Sequence, residues 1–188
     1  ACRGYGDAVI AAMGVVQRIT QFGGSAMIGF GQGFQPVCGF NYGAKLYKRV
    51  KDGFWFCVKY SFLFLVAVSA LGYIFAPQLI ALFRDDPEVI ACGTTALRLQ
   101  CLTFPLQSWL IIANMMEQTI GRTVPATFLA AARQGVFFIP AVLILPLMMK
   151  LLGIQAAQSV ADILSFISAV PIQLYVMKTM DRESIQRK

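Results

Sequence analysis

From Tyr60 to Phe83 the chain carries no charged residue, and most of its side chains there are apolar. This run limits the fold more than any other feature. Crossing the hydrocarbon core of a bilayer takes about 20 mostly apolar residues, and the backbone there must satisfy its own hydrogen bonds as a helix or a closed barrel. Comparable apolar stretches cover about residues 8–40, 54–83, 89–120, 124–149 and 151–177. Polar or helix-breaking segments separate them: Asn41 to Lys51, Arg84-Asp85-Asp86-Pro87-Glu88, Gly121-Arg122-Thr123 and Lys150. The expected fold class is an all-α membrane protein, a bundle of five transmembrane helices with no visible linker or second domain. The charged tail from Lys178 is expected to fray.

Composition agrees. Hydrophobic residues make up 57% of the 188 and charged residues 13%, against roughly 45–50% and 25% in soluble domains. There is no histidine, which removes the usual general base and the commonest metal ligand. Cys2, Cys38, Cys57, Cys92 and Cys101 form no CxxC pair, so neither a zinc site nor a disulfide framework is expected. The run Gly29-x-Gly31-x-Gly33 lacks the GK[ST] of a phosphate-binding loop. No cofactor and no enzymatic activity are expected. An intramembrane aspartyl protease needs two facing acids, and Asp162 has no evident acidic partner at its depth.

The net charge of +7 could point to nucleic acid. However, the basic residues cluster at the ends of apolar runs, as in membrane topology signals. One side collects Lys45, Lys48, Arg49, Lys51, Arg122, Lys178, Arg182, Arg187 and Lys188; the other has Arg3, Arg84 and Lys150. The positive-inside rule then places the N-terminus outside and the C-terminus in the cytoplasm. The expected surroundings are a lipid bilayer, with no nucleic-acid partner. The stretch from Gly29 to Lys51 reads as a glycine packing face that ends in a cytoplasmic stop.

An ionisable residue within a span is costly and is a functional candidate by default. Asp162 lies about nine residues into the fifth run, ~13 Å deep at 1.5 Å per residue. It needs a basic partner, a wet cavity or a proton. Arg98, ~10–13 Å deep, and Arg133 bracket it and are its expected ion-pair partners. Two readings stay open for Asp162: a group whose protonation or ion contact changes during transport, or a static bridge between helices. Glu117, near the cytoplasmic edge, is either a second coupling candidate or an interfacial partner of Arg122. Several amides fall within or beside the spans, and of these Gln32, Gln35, Gln107 and Gln134 are candidates for lining a cavity.

Four ordered stretches carry a resemblance: GFGQGFQPVCGFNYGAK (29–45), FRDDPEVIACGTTALRLQC (83–101), QTIGRTVPATFLAAARQGVFFIP (118–140) and GIQAAQSVADILSF (153–166). Together they resemble the multidrug and toxic compound extrusion (MATE) family, in its bacterial branch, over essentially the whole chain. The resemblance implies two six-helix lobes around a central cavity, with this chain matching helices eight to twelve of the C-terminal lobe. It implies helix seven and an N-terminal lobe as partners outside the chain. It also implies export of amphiphilic, often cationic, drugs across a bacterial plasma membrane in exchange for Na+ or H+. In the sodium-coupled branch an acid sits mid-helix where this chain has Gln107, a departure from that pattern. The wider superfamily includes flippases of lipid-linked sugars. That alternative expects several cationic residues in the cavity, with Arg18, Arg98 and Arg133 as candidates. A third expectation is that these residues have no independent activity, since alternating access uses both lobes.

Overall fold

The computed structural model describes the backbone of residues 7–185 and the side chains of residues 7–182. Cys2, Arg3, Arg187 and Lys188 lie outside the described residues. Every regular element among the described residues is helical. The fold class is therefore the one expected, although the helices break and end at places the apolar runs do not mark.

α1 (Asp7–Gly43) is 37 residues long, with Asp7 in its first turn, where a carboxylate meets the positive end of the helix dipole. Polar side chains inside it bond back to their own helix: Thr20 Oγ1 donates to the Val16 carbonyl and Asn41 Nδ2 to that of Val37. The connection to α2 (Tyr47–Ile74) turns through Lys45, which sits in the left-handed region at φ 62°. The second apolar run does not continue unbroken to Phe83. It stops at Phe75, and a separate short helix, α3 (Ala76–Phe83), begins with Pro77 in its first turn. A proline fits there because its missing N–H would have had no partner.

α4 (Pro87–Thr103) starts from Asp86, whose side chain accepts a hydrogen bond from the Glu88 N–H at 3.0 Å. That contact satisfies one of the unpaired amides at the helix start. Pro105 then tightens Phe104–Leu106 into a 3₁₀ turn before α5 (Gln107–Thr119). Gly121 turns at φ 77° into α6 (Thr123–Ala131). The fourth run is interrupted by a π turn, Ala132–Val136, in which the Phe137 N–H reaches back to the Ala132 carbonyl at 2.9 Å. Pro140 has no N–H to give the Val136 carbonyl, so the regular ladder cannot close across this point. α7 (Phe138–Met149) follows, and Lys150 at φ 49° leads into α8 (Leu151–Ile185). α8 continues past residue 177. The charged tail extends the helix through Lys178 and Arg182 instead of fraying, and basic residues suit a helix C-terminus.

Three apolar clusters hold the bundle together. Ala12, Val16, Ile80, Val89 and Leu97 join α1, α3 and α4. Met27, Leu65 and Phe104 lie between. Phe34, Phe54, Trp109, Met116, Val176 and Met180 join α1, α2, α5 and α8, with Phe54 and Trp109 packed edge-on at 5.3 Å. Of the glycines in the 29–33 stretch only Gly31 is buried against a neighbour, the Met115 side chain of α5; Gly29 and Gly33 face open space. The close approaches along α1 are instead at Gly23, Gly31 and Gly39, against Phe104, Met115 and Thr119. Residues 29, 31 and 33 are spaced by two, so they turn to opposite sides of a helix.

Four paths are long and apolar enough to cross a membrane: Tyr47–Ile74, Pro87–Thr119, Thr123–Met149 and Leu151–Arg182. α1 is not among them, because glutamines, glycines and Arg18 dilute it. Even so, its core residues run from Ala12 in one end cluster to Cys38 in the other. Large apolar side chains such as Phe22, Leu82, Leu147 and Met148 are at least 80% exposed, as lipid-facing residues would be. Lys51 at the start of α2 forms an ion pair with Asp181 near the end of α8. That pair puts two of the basic-rich segments at the same end of the bundle.

Candidate functional site: an amide-lined cleft beside a buried ion pair

Asp162 sits on the inward face of α8 with its side chain fully buried. Three donors reach its carboxylate. Arg133 Nε, from the π turn, donates to Oδ1 at 2.9 Å; Gln158 Nε2, one turn away on α8, donates to the same oxygen at 3.2 Å; Gln107 Nε2, from the first turn of α5, donates to Oδ2 at 3.3 Å. The aspartate is held where the break in the fourth run and the start of α5 meet α8. The π turn matters here, since its extra residue changes the direction in which Arg133 and Gln134 leave the helix.

Beside this pair opens a cleft of about 500 Å³ between α1, α4, α5, α7, α8 and the π turn. Glutamines dominate its polar wall: Gln17 and Gln21 from α1, Gln100 from α4, Gln107, Gln134 and Gln158. Among the described residues Arg133 is the one charged residue lining it, and its side chain keeps 27% exposure. Ile28, Ile111 and Phe138 supply apolar surface. A second hollow of about 320 Å³ shares Ile28, Ile111, Arg133 and Gln134 and continues toward Asn114 and Leu129. The arrangement can accept hydrogen bonds from a solute and donate to it, inside a bundle whose outer surface is apolar.

The structure brings together some of the expected residues. Arg133 pairs with Asp162, and Gln107 and Gln134 both line the cleft. Arg98 does not pair with Asp162. It is exposed, donates from Nε to the Tyr73 carbonyl at 3.4 Å and lies 5.2 Å above the Tyr73 ring. Gln32 is exposed and Gln35 half-buried, and neither lines the cleft. Both lie near the stripe of residues 17, 21, 24 and 28 but further along α1 than Ile28, the last of its residues in the lining. No ion pair or hydrogen bond joins the Glu117 and Arg122 side chains among the described residues. Glu117 is fully buried, and neither carboxylate oxygen has a hydrogen-bond partner. What joins the two residues is a backbone bond from the Arg122 N–H to the Glu117 carbonyl at 3.0 Å.

Gln17, Gln21, Gln100 and Gln158 line the cleft and are not among the cavity candidates that the sequence offered. The signal for the first three is spacing: Gln17, Gln21, Gly24 and Ile28 share one helical stripe, and Gln100 and Gln107 stand seven apart. Among the described residues no group of three or more potential metal-ligating side chains converges. Cys38, Cys57, Cys92 and Cys101 are free thiols.

Comparison with known proteins gives a consistent pattern. A family model described as MatE matches residues 1–144. The Multidrug export protein MepA of Staphylococcus saprophyticus is 25% identical over 187 residues, a match covering 98% of this chain and 40% of that protein. A crystal structure of MATE in complex with MaL6 superposes with a TM-score of 0.90 at 20% identity, covering 97% of this chain and 42% of the other. An outward-facing multidrug resistance MATE family transporter of the MOP superfamily gives 0.89 at 20% identity, covering 95% and 40%. The chain spans about 40% of the length of these relatives.

Proposed function

Because the chain belongs to the MatE family, we propose that it forms part of one lobe of a secondary active exporter of amphiphilic, often cationic, drug-like compounds. The observation that carries this reading is the glutamine-lined cleft of about 500 Å³ within an otherwise lipid-compatible bundle. Six amides and an arginine around open space suit a solute path. MATE transporters are transport proteins, and the relatives over which the chain spans about 40% include a multidrug export protein. We assign the chain to helices eight to twelve of the C-terminal lobe, working with helix seven and an N-terminal lobe in a bacterial plasma membrane. α1 makes the fifth crossing, with the N-terminus outside and the C-terminus cytoplasmic.

Export is coupled to Na+ or H+, and the two buried acids, Asp162 and Glu117, are the coupling candidates in this chain. Asp162 is already supplied with three donors, while Glu117 has none. The flippase alternative is disfavoured by the arginines: of Arg18, Arg98 and Arg133, only Arg133 lines the cleft, and it is already paired. The test is efflux of cationic dyes by the complete open reading frame, expressed in cells lacking their own pumps, with sodium and proton gradients collapsed in turn. The expected result is efflux that stops with one of the gradients. Absence of efflux for every dye would sink the proposal.

A further inference from the structure

We propose that the outer face of α2 holds an anionic glycerophospholipid, with the headgroup phosphate on Lys59 and Trp55 and an acyl chain along the apolar side chains beyond them. The inference concerns the outer surface of the bundle and does not depend on what the cleft carries. It begins with an unpaired cation. Lys59 is exposed, and its ammonium makes no ion pair or hydrogen bond with any described residue. It is the last charged residue before the uncharged stretch. It lies eight residues, about 12 Å, further along α2 than Lys51, whose pair with Asp181 marks the basic end of the bundle. Trp55, Phe62, Leu63 and Val66 share its face at helical spacing, and all four are exposed. A charge on such an apolar face is costly until a counter-ion reaches it.

Lipid phosphate is the counter-ion that the geometry favours. Helical side chains lean toward the N-terminus of their helix. For α2 that is the basic end, so the Lys59 ammonium reaches back along the helix toward the headgroup level. Trp55 stands one turn nearer that end, four residues before Lys59, where two side chains are neighbours. Its ring is half-exposed, packs edge-on against Phe54 and Trp109, and has no described acceptor for its N–H. An ammonium and an indole N–H side by side can both donate to one phosphate. Phe56 and Tyr60, with ring centroids 4.4 Å apart, flank them, and aromatic rings of this kind gather at membrane interfaces. Asp52 is the one acid in α2, and Lys48 and Arg49, one turn before it, leave the local balance positive. That balance favours a headgroup of net negative charge over a zwitterionic one. α2 also stands apart from the cleft: α1, α4, α5, α7 and α8 all give residues to the lining and α2 gives none. The rest of the transporter can therefore complete the cleft without covering this face.

The experiment uses a cysteine-free version of the complete transporter carrying Leu63→Cys, one turn beyond Lys59, labelled with bimane and reconstituted in phosphatidylcholine vesicles. Brominated phosphatidylglycerol or brominated phosphatidylcholine is added at matched fractions, and quenching reports which lipid occupies the face. Phosphatidylglycerol is expected to compete about 5-fold better, the effect of one cation held against an anionic headgroup. Lys59→Gln should bring that ratio close to one, and Lys59→Arg should keep it. Equal quenching by the two lipids with Lys59 intact overturns the proposal, and so does a preference that survives Lys59→Gln. Absence of quenching by either lipid would show that another part of the transporter covers this face, and overturns it too. None of these outcomes bears on export, which the dye assay tests by itself.

Discussion

Asp162 receives hydrogen bonds from side chains of two other elements as well as its own helix, so its environment is built by tertiary packing. Removing Arg133 would leave a fully buried carboxylate supported only by two amides. Taking one partner from a buried pair costs about 3–5 kcal/mol, more than the intact pair is worth against an apolar replacement. Arg133→Ala should therefore destabilise the protein far more than Asp162→Asn does, and the double variant should cost less than the sum of the two. Unfolding of the purified complete protein in detergent measures all three, and strict additivity would show that the contact has no energetic weight. Asp162→Asn also bears on coupling, since transport that keeps its gradient dependence without the carboxylate assigns Asp162 a structural part. At Glu117 the structure shows a buried carboxyl whose oxygens have no hydrogen-bond partner. Sequence could indicate which residues were ionisable within spans. It could not indicate which faced one another, because that depends on the rotation of each helix.

At the level of elements, the bilayer makes helices easy to read and their interruptions hard to read. Long apolar runs have few structural options in hydrocarbon, so the helices emerge close to where the runs lie. The stop at Phe75, the 3₁₀ turn at Pro105 and the π turn ahead of Pro140 depend on how neighbouring helices recapture freed carbonyls, and hydropathy carries no trace of that. The same limit applies to glycines. A methyl added at Gly153 would stand 2.3 Å from the Leu145 carbonyl oxygen, across the α7–α8 turn, whereas one at Gly33 would meet nothing within 4 Å. Gly153→Ala should cost about 1–3 kcal/mol through overpacking against backbone that cannot yield easily. Gly33→Ala should stabilise by about 0.5–1 kcal/mol through helix propensity. Thermal unfolding midpoints of the two variants check the pair, and a neutral Gly153→Ala would mean that α7 and α8 approach less closely.

For the molecule as a whole, the charge pattern and the helix packing agree on one feature: the ion pair between Lys51 and Asp181 gathers the basic start of α2 and the basic end of α8 at one end of the bundle. The cleft lies away from those termini, between α1, α5, the π turn and α8. Half of the expected cavity amides, Gln107 and Gln134, line it, and Gln32 and Gln35 do not. We propose this cleft as the solute path. Single cysteines at positions 21 and 32, placed in a cysteine-free version of the complete transporter, test it most directly. The rate of thiol labelling at each is measured with and without an exported dye. Dye is expected to slow labelling of Gln21→Cys and to leave Gln32→Cys unchanged. Protection at position 32 without protection at position 21 would contradict it.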